Sequence, residues 1–178
     1  YEIPAAMGVK MADPSREVYA FVGDGTYLMM PSEIVTSVQE GVKLTIIVVD
    51  NHGFASIGGL SASLGSAGFG TRFRKRGESG GLDGEVLAID YAANARSLGA
   101  LAVSVANIAD FKQALQDARR AKRTSVIVVQ ADREERVPGY ESWWDVAVAG
   151  VSRLESVNEA RAEYEQALKK ERYFLKPS

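Results

Sequence analysis

Residues 18–30, VYAFVGDGTYLMM, form an apolar run that breaks off on a carboxylate held between two glycines, Gly23-Asp24-Gly25, with Thr26 next in line. The first five residues read as a buried strand. A strand ending on a lone Asp flanked by glycines is either a plain turn or a place where backbone must approach something anionic. The next strand pattern tips the balance. Residues 44–49, LTIIVV, end in Asp50-Asn51-His52-Gly53-Phe54, so Asn51 stands at the end of the following strand as Asp24 does at the end of the first.

The remaining chain repeats this rhythm. Residues 101–106, LAVSVA, and 124–130, TSVIVVQ, read as further buried strands, the former ambiguous. Residues 31–42 place Ile34, Val35 and Val38 at helical spacing behind Pro31. Residues 89–98 read as a helix with Asp90 as N-cap and Gly99 as terminator. In residues 107–121, Ile108, Phe111, Ala114, Leu115 and Ala118 mark one stripe, and YEIPAAMGVKMA at 1–12 also reads as a helix. Strands alternating with helices predict an α/β fold: a doubly wound parallel sheet with helices on both faces. In such sheets ligands collect beyond the carboxyl ends of strands, where both motifs lie.

The residue types there suit a hydrated divalent cation and a diphosphate. Magnesium takes hard oxygens in a near-octahedral shell that it commonly shares with phosphate. Asp24 offers an anionic oxygen, Asn51 a neutral amide oxygen, and Gly53 a backbone carbonyl. Gly23 and Gly25 let the chain approach a diphosphate, and Thr26 offers a hydroxyl. A helix starting near Phe54–Ile57 would turn its free N–H groups, with Ala55 and Ser56 in its first turn, toward a second phosphate. His52, the one histidine, contacts phosphate or substrate, or is an ordinary loop residue. Ser56 touches phosphate or simply caps the helix. Met29 and Met30 read as core.

Composition narrows the classes. The 178 residues carry 21 Lys+Arg against 23 Asp+Glu, a formal charge of −2, which gives no bulk attraction to nucleic acid or to an anionic membrane. No apolar run approaches the length of roughly 18 residues that a membrane-spanning helix needs. With no cysteine there is no disulfide or thiolate chemistry. A cytoplasmic location is the default expectation. Neither GxxxxGK[ST] nor GxGxxG occurs, so Walker and Rossmann readings fail.

Two regions leave the alternating rhythm. Residues 53–84 hold ten of the 17 glycines and a basic knot at Arg72, Arg74, Lys75 and Arg76. The knot reads as a lid over phosphate or as a solvated face, and the segment's composition predicts mobility in the isolated domain. After about residue 132 comes an extension, 133–178, with Trp143 and Trp144 in an aromatic stretch and a charged amphipathic helix over 153–172. The expected units are therefore a binding domain, 1–132, and a C-terminal aromatic and helical extension.

The paired GDG and Asn motifs at the ends of successive strands resemble the diphosphate-binding signature of thiamine-diphosphate-dependent enzymes. In that signature an Asp, an Asn and the carbonyl two residues beyond it hold magnesium; here these are Asp24, Asn51 and Gly53. The family usually has two successive Asn, and Asp50 replaces the first. The strings IPAAMGVKMA, DYAANARSLGA and TSVIVVQAD extend the likeness from residue 1 to about 132. The strings NHGFASIGGLS, FGTRFR and VPGYESWWDV resemble a branch of the family, the acylhydrolases that open a cyclic 1,2-dione (trihydroxycyclohexanedione) in myo-inositol catabolism. The resemblance implies cofactors, thiamine diphosphate and Mg2+, bound by Gly23, Asp24, Gly25, Thr26, Asn51, His52, Gly53, Phe54, Ala55 and Ser56.

It also implies a missing partner. A pyrimidine-binding domain, usually on another subunit, supplies the catalytic Glu, so the active protein should be a longer chain and a homodimer or homotetramer. No catalytic residue is assigned within this sequence, Glu33 and Glu40 being poorly placed on the crossover helix, and the isolated piece should be inactive. Two other readings stay open at this point. One is a thiamine-dependent lyase or carboligase of the acetolactate-synthase kind. The other is a non-catalytic magnesium- or phosphate-binding module of flavodoxin-like shape.

Overall fold

The computed structural model describes residues 1–135 and 146–171. Four strands, β1 (Tyr19–Gly23), β2 (Thr45–Asp50), β3 (Leu101–Val105) and β4 (Ser125–Gln130), form one parallel sheet in the order β1-β2-β4-β3. The ends of β1 and β2 are thus direct neighbours, with Gly23 in register with Val49.

The two central strands explain their own composition. Residues 45–48 of β2 and 125–128 of β4 are buried throughout, as a strand covered on both faces requires. On one face α1 (Glu2–Ala12), α3 (Glu33–Gln39) and α5 (Tyr91–Ser97) bury Ile3, Ile34, Tyr91 and Ala95 against Val22, Ile46, Val48, Val126 and Val128. On the other, α6 (Ile108–Arg120) sets Ala114 and Ala118 on Val105 and Ile127. The helix caps follow the expected chemistry. Asp90 accepts from Ala93 N at 2.8 Å, Asn107 accepts from Asp110 N at 2.9 Å, and Gly99 ends α5 at φ +97°.

The strand order corrects several expectations. Strands β1 and β3 are the edges of the sheet, so they alternate or lie open instead of being buried on both sides: Phe21 is 63% exposed and Val103 44%. Ile108 sits in the first turn of α6, beyond the strands, and is exposed although its spacing matches the stripe. Val35 likewise faces outward. Met29 and Met30 do not join the core, because the chain after Gly23 turns at once into α2 (Asp24–Met29), whose inward positions are taken by Asp24, Gly25 and Tyr27.

The glycine-rich segment has internal order. It opens with α4 (Ala55–Ser63), then returns so that Gly53 bridges Arg72 and Arg74 bridges Val86, both antiparallel. Phe54 N donates to Thr71 O and Phe73 N to His52 O, both at 2.9 Å. The backbone finds partners within its own segment and at the end of β2, which is how a long connection avoids unpaired polar groups. The basic knot is tied down at the surface. Arg72 pairs with Glu134 at 2.7 Å, Lys75 with Glu85 at 2.9 Å, and Arg74 donates to Gly84 O at 3.1 Å.

Beyond the sheet, α7 (Glu155–Leu168) rests its first turn on the end of α4, where Ser156 Oγ donates to Gly65 O at 2.6 Å. Trp143 and Trp144 lie outside the described residues.

Candidate thiamine diphosphate site

Asp24 is the first residue after β1 and is fully buried, because the helix that follows turns its side chain back over the sheet end. Its carboxylate is fixed from both sides. Oδ1 accepts from Gly25 N at 2.9 Å and Oδ2 accepts from Gly53 N at 2.8 Å. Burial raises its pKa, the two amides pull it down, and Asp50 beside it raises it again, leaving it above the usual carboxylate value.

The second motif is shaped by unusual backbone. His52 adopts φ +58° and Gly53 φ +139°. A Cβ at Gly53 would collide with the carbonyl oxygen of Thr71, so only glycine fits. Asp50, 4% exposed, holds this turn: its Oδ1 accepts from His52 N at 3.2 Å and lies 3.3 Å from His52 Nδ1. Phe54 packs edge-on against Phe73, centroids 5.8 Å apart, and its ring covers Gly25, where a Cβ would approach within 2.5 Å. Phe54 is therefore the wall that closes the helix side of Asp24.

Three observations fit a cation and a diphosphate. The amide oxygen Oδ1 of Asn51 is buried and has no hydrogen-bond partner, a costly state for a strong acceptor. At Gly23 a Cβ would meet nothing within 4 Å, so the backbone there faces open space at the strand end. The first N–H groups of α4, at Ala55 and Ser56, have no intrahelical acceptor by helix geometry. The donor set of one carboxylate, one amide oxygen and one carbonyl is too small to hold magnesium alone and suits an ion completed by phosphate. Among the described residues no group of three His, Cys, Asp or Glu offers a rival metal site.

The structure thus brings Gly23, Asp24, Gly25, Gly53 and Phe54 into direct proximity and sets Asn51, His52, Ala55 and Ser56 on the turn that joins them. The notable residues missed by spacing arguments are Tyr27 and Tyr91, packed edge to face 5.7 Å apart beneath the site. Burial pushes the Tyr27 phenol up to about 12, and its hydroxyl donates to Asn94 Oδ1 at 2.7 Å. Burial, then the charges of Asp24 and Asp50, push the Tyr91 phenol upward as well. Nothing in the local pattern around either tyrosine marks it, because they meet only when distant parts of the chain pack together.

Residues 1–129 match the family described as thiamine pyrophosphate enzyme, C-terminal TPP binding domain. The chain belongs to this family. It is 42% identical over 174 residues to a Clostridium perfringens protein named 3D-(3,5/4)-trihydroxycyclohexane-1,2-dione hydrolase, covering 98% of this chain and 27% of that one. A Geobacillus thermodenitrificans protein of the same name is 45% identical over 170 residues, covering 95% and 27%. The chain therefore spans about a quarter of the length of these relatives. In structure it is similar to the thiamine diphosphate-dependent 4-hydroxybenzoylformate decarboxylase of Rhodococcus jostii RHA1, with TM-score 0.61 and 28% identity over 74% of this chain and 23% of that one. Benzoylformate decarboxylase of Polynucleobacter necessarius shares the fold, with TM-score 0.59 and 23% identity over 76% and 23%. No helix among the described residues is long and apolar enough to cross a membrane.

Proposed function

We propose that the full-length protein is a thiamine diphosphate- and magnesium-dependent hydrolase that opens the ring of trihydroxycyclohexane-1,2-dione in myo-inositol catabolism. The supporting observation is the reach of the similarity. The family as a whole matches residues 1–129, whereas the Clostridium relative, whose name carries this substrate, aligns over 174 residues and so into the extension. The domain boundary near residue 132 is part of the proposal.

In this reading Asp24 Oδ, Asn51 Oδ1 and the Gly53 carbonyl hold magnesium. Gly23, Gly25, Thr26, His52, Ala55 and Ser56 receive the diphosphate, while Phe54 walls the site. The Gly53–Asp24 hydrogen bond keeps two of the magnesium ligands together before any ligand arrives, which lowers the ordering cost of binding. Bound there, thiamine diphosphate would supply the electron sink for breaking a C–C bond beside a carbonyl. Water adds its oxygen to the acyl carbon, giving a carboxylate, and the other carbon of the broken bond takes a proton. A pyrimidine-binding domain supplies the catalytic Glu, in a homodimer or homotetramer located in the cytoplasm.

A lyase reading is favoured by the Rhodococcus neighbour, 28% identical and named as a decarboxylase. Turnover of the cyclic dione by the full-length protein in 18O-water separates the two. Hydrolysis places one 18O in the product carboxylate. Absence of that label with intact cofactor binding would sink the substrate assignment.

A further inference from the structure

Asn51 separates two spaces at the end of the sheet. On its β1 side lies the Asp24 cradle. On its β4 side is a cavity of about 260 Å³, lined chiefly by His52, Arg72, Phe73, Arg74, Arg133 and Glu134. The cofactor reading uses the cradle and leaves this cavity without a task. Its volume lies just below the roughly 300–1,000 Å³ of sites for drug-sized ligands, which is the scale of a single six-carbon ring.

Separate stretches of chain build the walls, and each is fixed before anything binds. Residues 72–74 run antiparallel to the turn after β2: Gly53 bridges Arg72, and Phe73 N donates to His52 O at 2.9 Å. Their far end is held where Arg74 bridges Val86 and donates to Gly84 O at 3.1 Å. In the turn after β4, Ala131 N donates to Asp50 O at 2.9 Å and Glu134 N to Asp132 Oδ1 at 2.8 Å. Arg72 and Glu134, 2.7 Å apart, join the two walls, and Arg133 reaches Phe54 O at 3.4 Å. A largely preformed wall is what a small-molecule site requires.

The lining is mixed rather than purely cationic, and this decides the ligand class. Arg72 faces Glu134, Arg74 and Arg133 face carbonyl oxygens, and His52 Nδ1 lies 3.3 Å from Asp50. A simple anion would gain little from cations already engaged and would meet the Glu134 carboxylate. A hydroxyl suits both kinds of neighbour, since it accepts from a guanidinium and donates to a carboxylate. The Glu134 contact engages one terminal nitrogen of Arg72, whose planar fork has further donors to offer. Phe73, half-buried and braced edge-on by Phe54, adds an apolar wall for the C–H side of a ring. A neutral ring carrying several hydroxyls satisfies all of these groups together.

We propose that this cavity is the subsite for the hydroxyl-bearing side of a cyclic polyol ketone, with Arg72 a specificity-determining residue that donates to its hydroxyls. The inference rests on the function proposed above and adds to it where the substrate's hydroxyls are read.

The test uses the full-length protein loaded with magnesium and thiamine diphosphate, beside its Arg72→Gln and Arg72→Lys variants. The Arg72–Glu134 pair is solvent-exposed, so its loss should leave the fold intact. Turnover of the cyclic dione gives KM and kcat. Ligand-observed NMR titration gives affinity for two inert probes, myo-inositol as a neutral ring polyol and succinate as an anion without hydroxyls. Arg72→Gln should raise KM and the inositol Kd about tenfold, with kcat within about twofold and cofactor affinity and Tm unchanged. Arg72→Lys should recover part of that loss. Unchanged KM and inositol affinity would overturn the proposal. So would an equal loss of cofactor affinity or a fall in Tm, since Arg72 would then only brace the Gly53 turn. Binding of succinate in preference to inositol would show an anion site and overturn it too. A wild type that binds cofactor, and binds inositol through Arg72, yet leaves the dione intact refutes the proposed function while upholding this site. A wild type that opens the dione with a KM indifferent to Arg72 refutes this site alone.

Discussion

The backbone amide of Gly53 donates to Asp24 Oδ2 across 2.8 Å, joining two residues 29 positions apart at the ends of adjacent strands. That bond makes one site of two sequence motifs. It depends on Gly53 adopting φ +139° with Thr71 O pressed against it. Gly53→Ala should therefore destabilise the protein by about 3 kcal/mol and abolish magnesium-dependent cofactor binding, as read by denaturant unfolding and calorimetry. Wild-type stability in that variant would contradict the geometry.

Gly23 and Gly25 flank the same carboxylate for different reasons, and alanine should tell them apart. At Gly23, φ is −73° and a Cβ meets nothing, so Gly23→Ala should change stability by no more than about 0.5 kcal/mol. Cofactor affinity should nevertheless fall at least about tenfold, about 1.4 kcal/mol, because the methyl fills the space proposed for the diphosphate. Gly25→Ala drives a Cβ into the Phe54 ring and should cost about 1–3 kcal/mol of stability. Equal behaviour of the two variants would refute the assignment of Gly23 as a cradle.

The raised pKa of Asp24 fixes a sign. A carboxyl whose folded-state value exceeds its ordinary 3.8 binds more protons folded than unfolded, so its contribution to stability is fully present below that value and is lost as pH rises through the raised one. The difference in unfolding free energy between wild type and Asp24→Ala, without metal, should therefore decline as pH rises above about 4. Saturating magnesium with thiamine diphosphate should flatten or reverse the decline, since the ion favours the ionised form. Thermal melts across this range check it, and a metal-free difference that grows with pH would rule the account out.

At the opposite end of the sheet, Thr124 Oγ1 accepts from Leu44 N at 3.1 Å and hydrogen-bonds with Ser37 Oγ, all buried. Thr124→Val strands the Leu44 amide and should cost about 1–3 kcal/mol. Cofactor affinity should not move, because the cluster lies a full strand length from Asp24. A variant that loses affinity in proportion to stability would show that the two ends are coupled.

The glycine-rich segment should exchange hydrogens unevenly. Amides of Phe54, Phe73 and Leu87, bonded to Thr71 O, His52 O and Phe73 O at 2.8–2.9 Å, should be slow, and Gly81 at the turn should be fast. Uniformly fast exchange from 53 to 87 would mean that these bridges do not persist.

Much of this was legible in the chain. The apolar runs of β2 and β4 announce themselves because both faces of a central strand must be apolar, and Asp90 and Gly99 mark the ends of α5 by local chemistry alone. The GDG and Asn motifs were legible for the same reason: each is a short stretch whose residue types limit its own backbone. Edge position was not legible, since the Phe21 and Tyr19 of β1 look as apolar as any core residue, and only strand order leaves them exposed.

By itself, then, the sequence determined the periodic elements, the glycines that permit the two turns, and the oxygen donors placed at the ends of two successive strands. Tertiary structure decided which ends meet. It made β1 and β2 neighbours, closed the Gly53–Asp24 bond, laid Phe54 over Gly25 and set the Tyr91 ring edge-on to Tyr27. Local propensity acts over a few residues, whereas burial, repulsion between buried charges and the desolvation of a hydroxyl depend on what the whole chain packs against them.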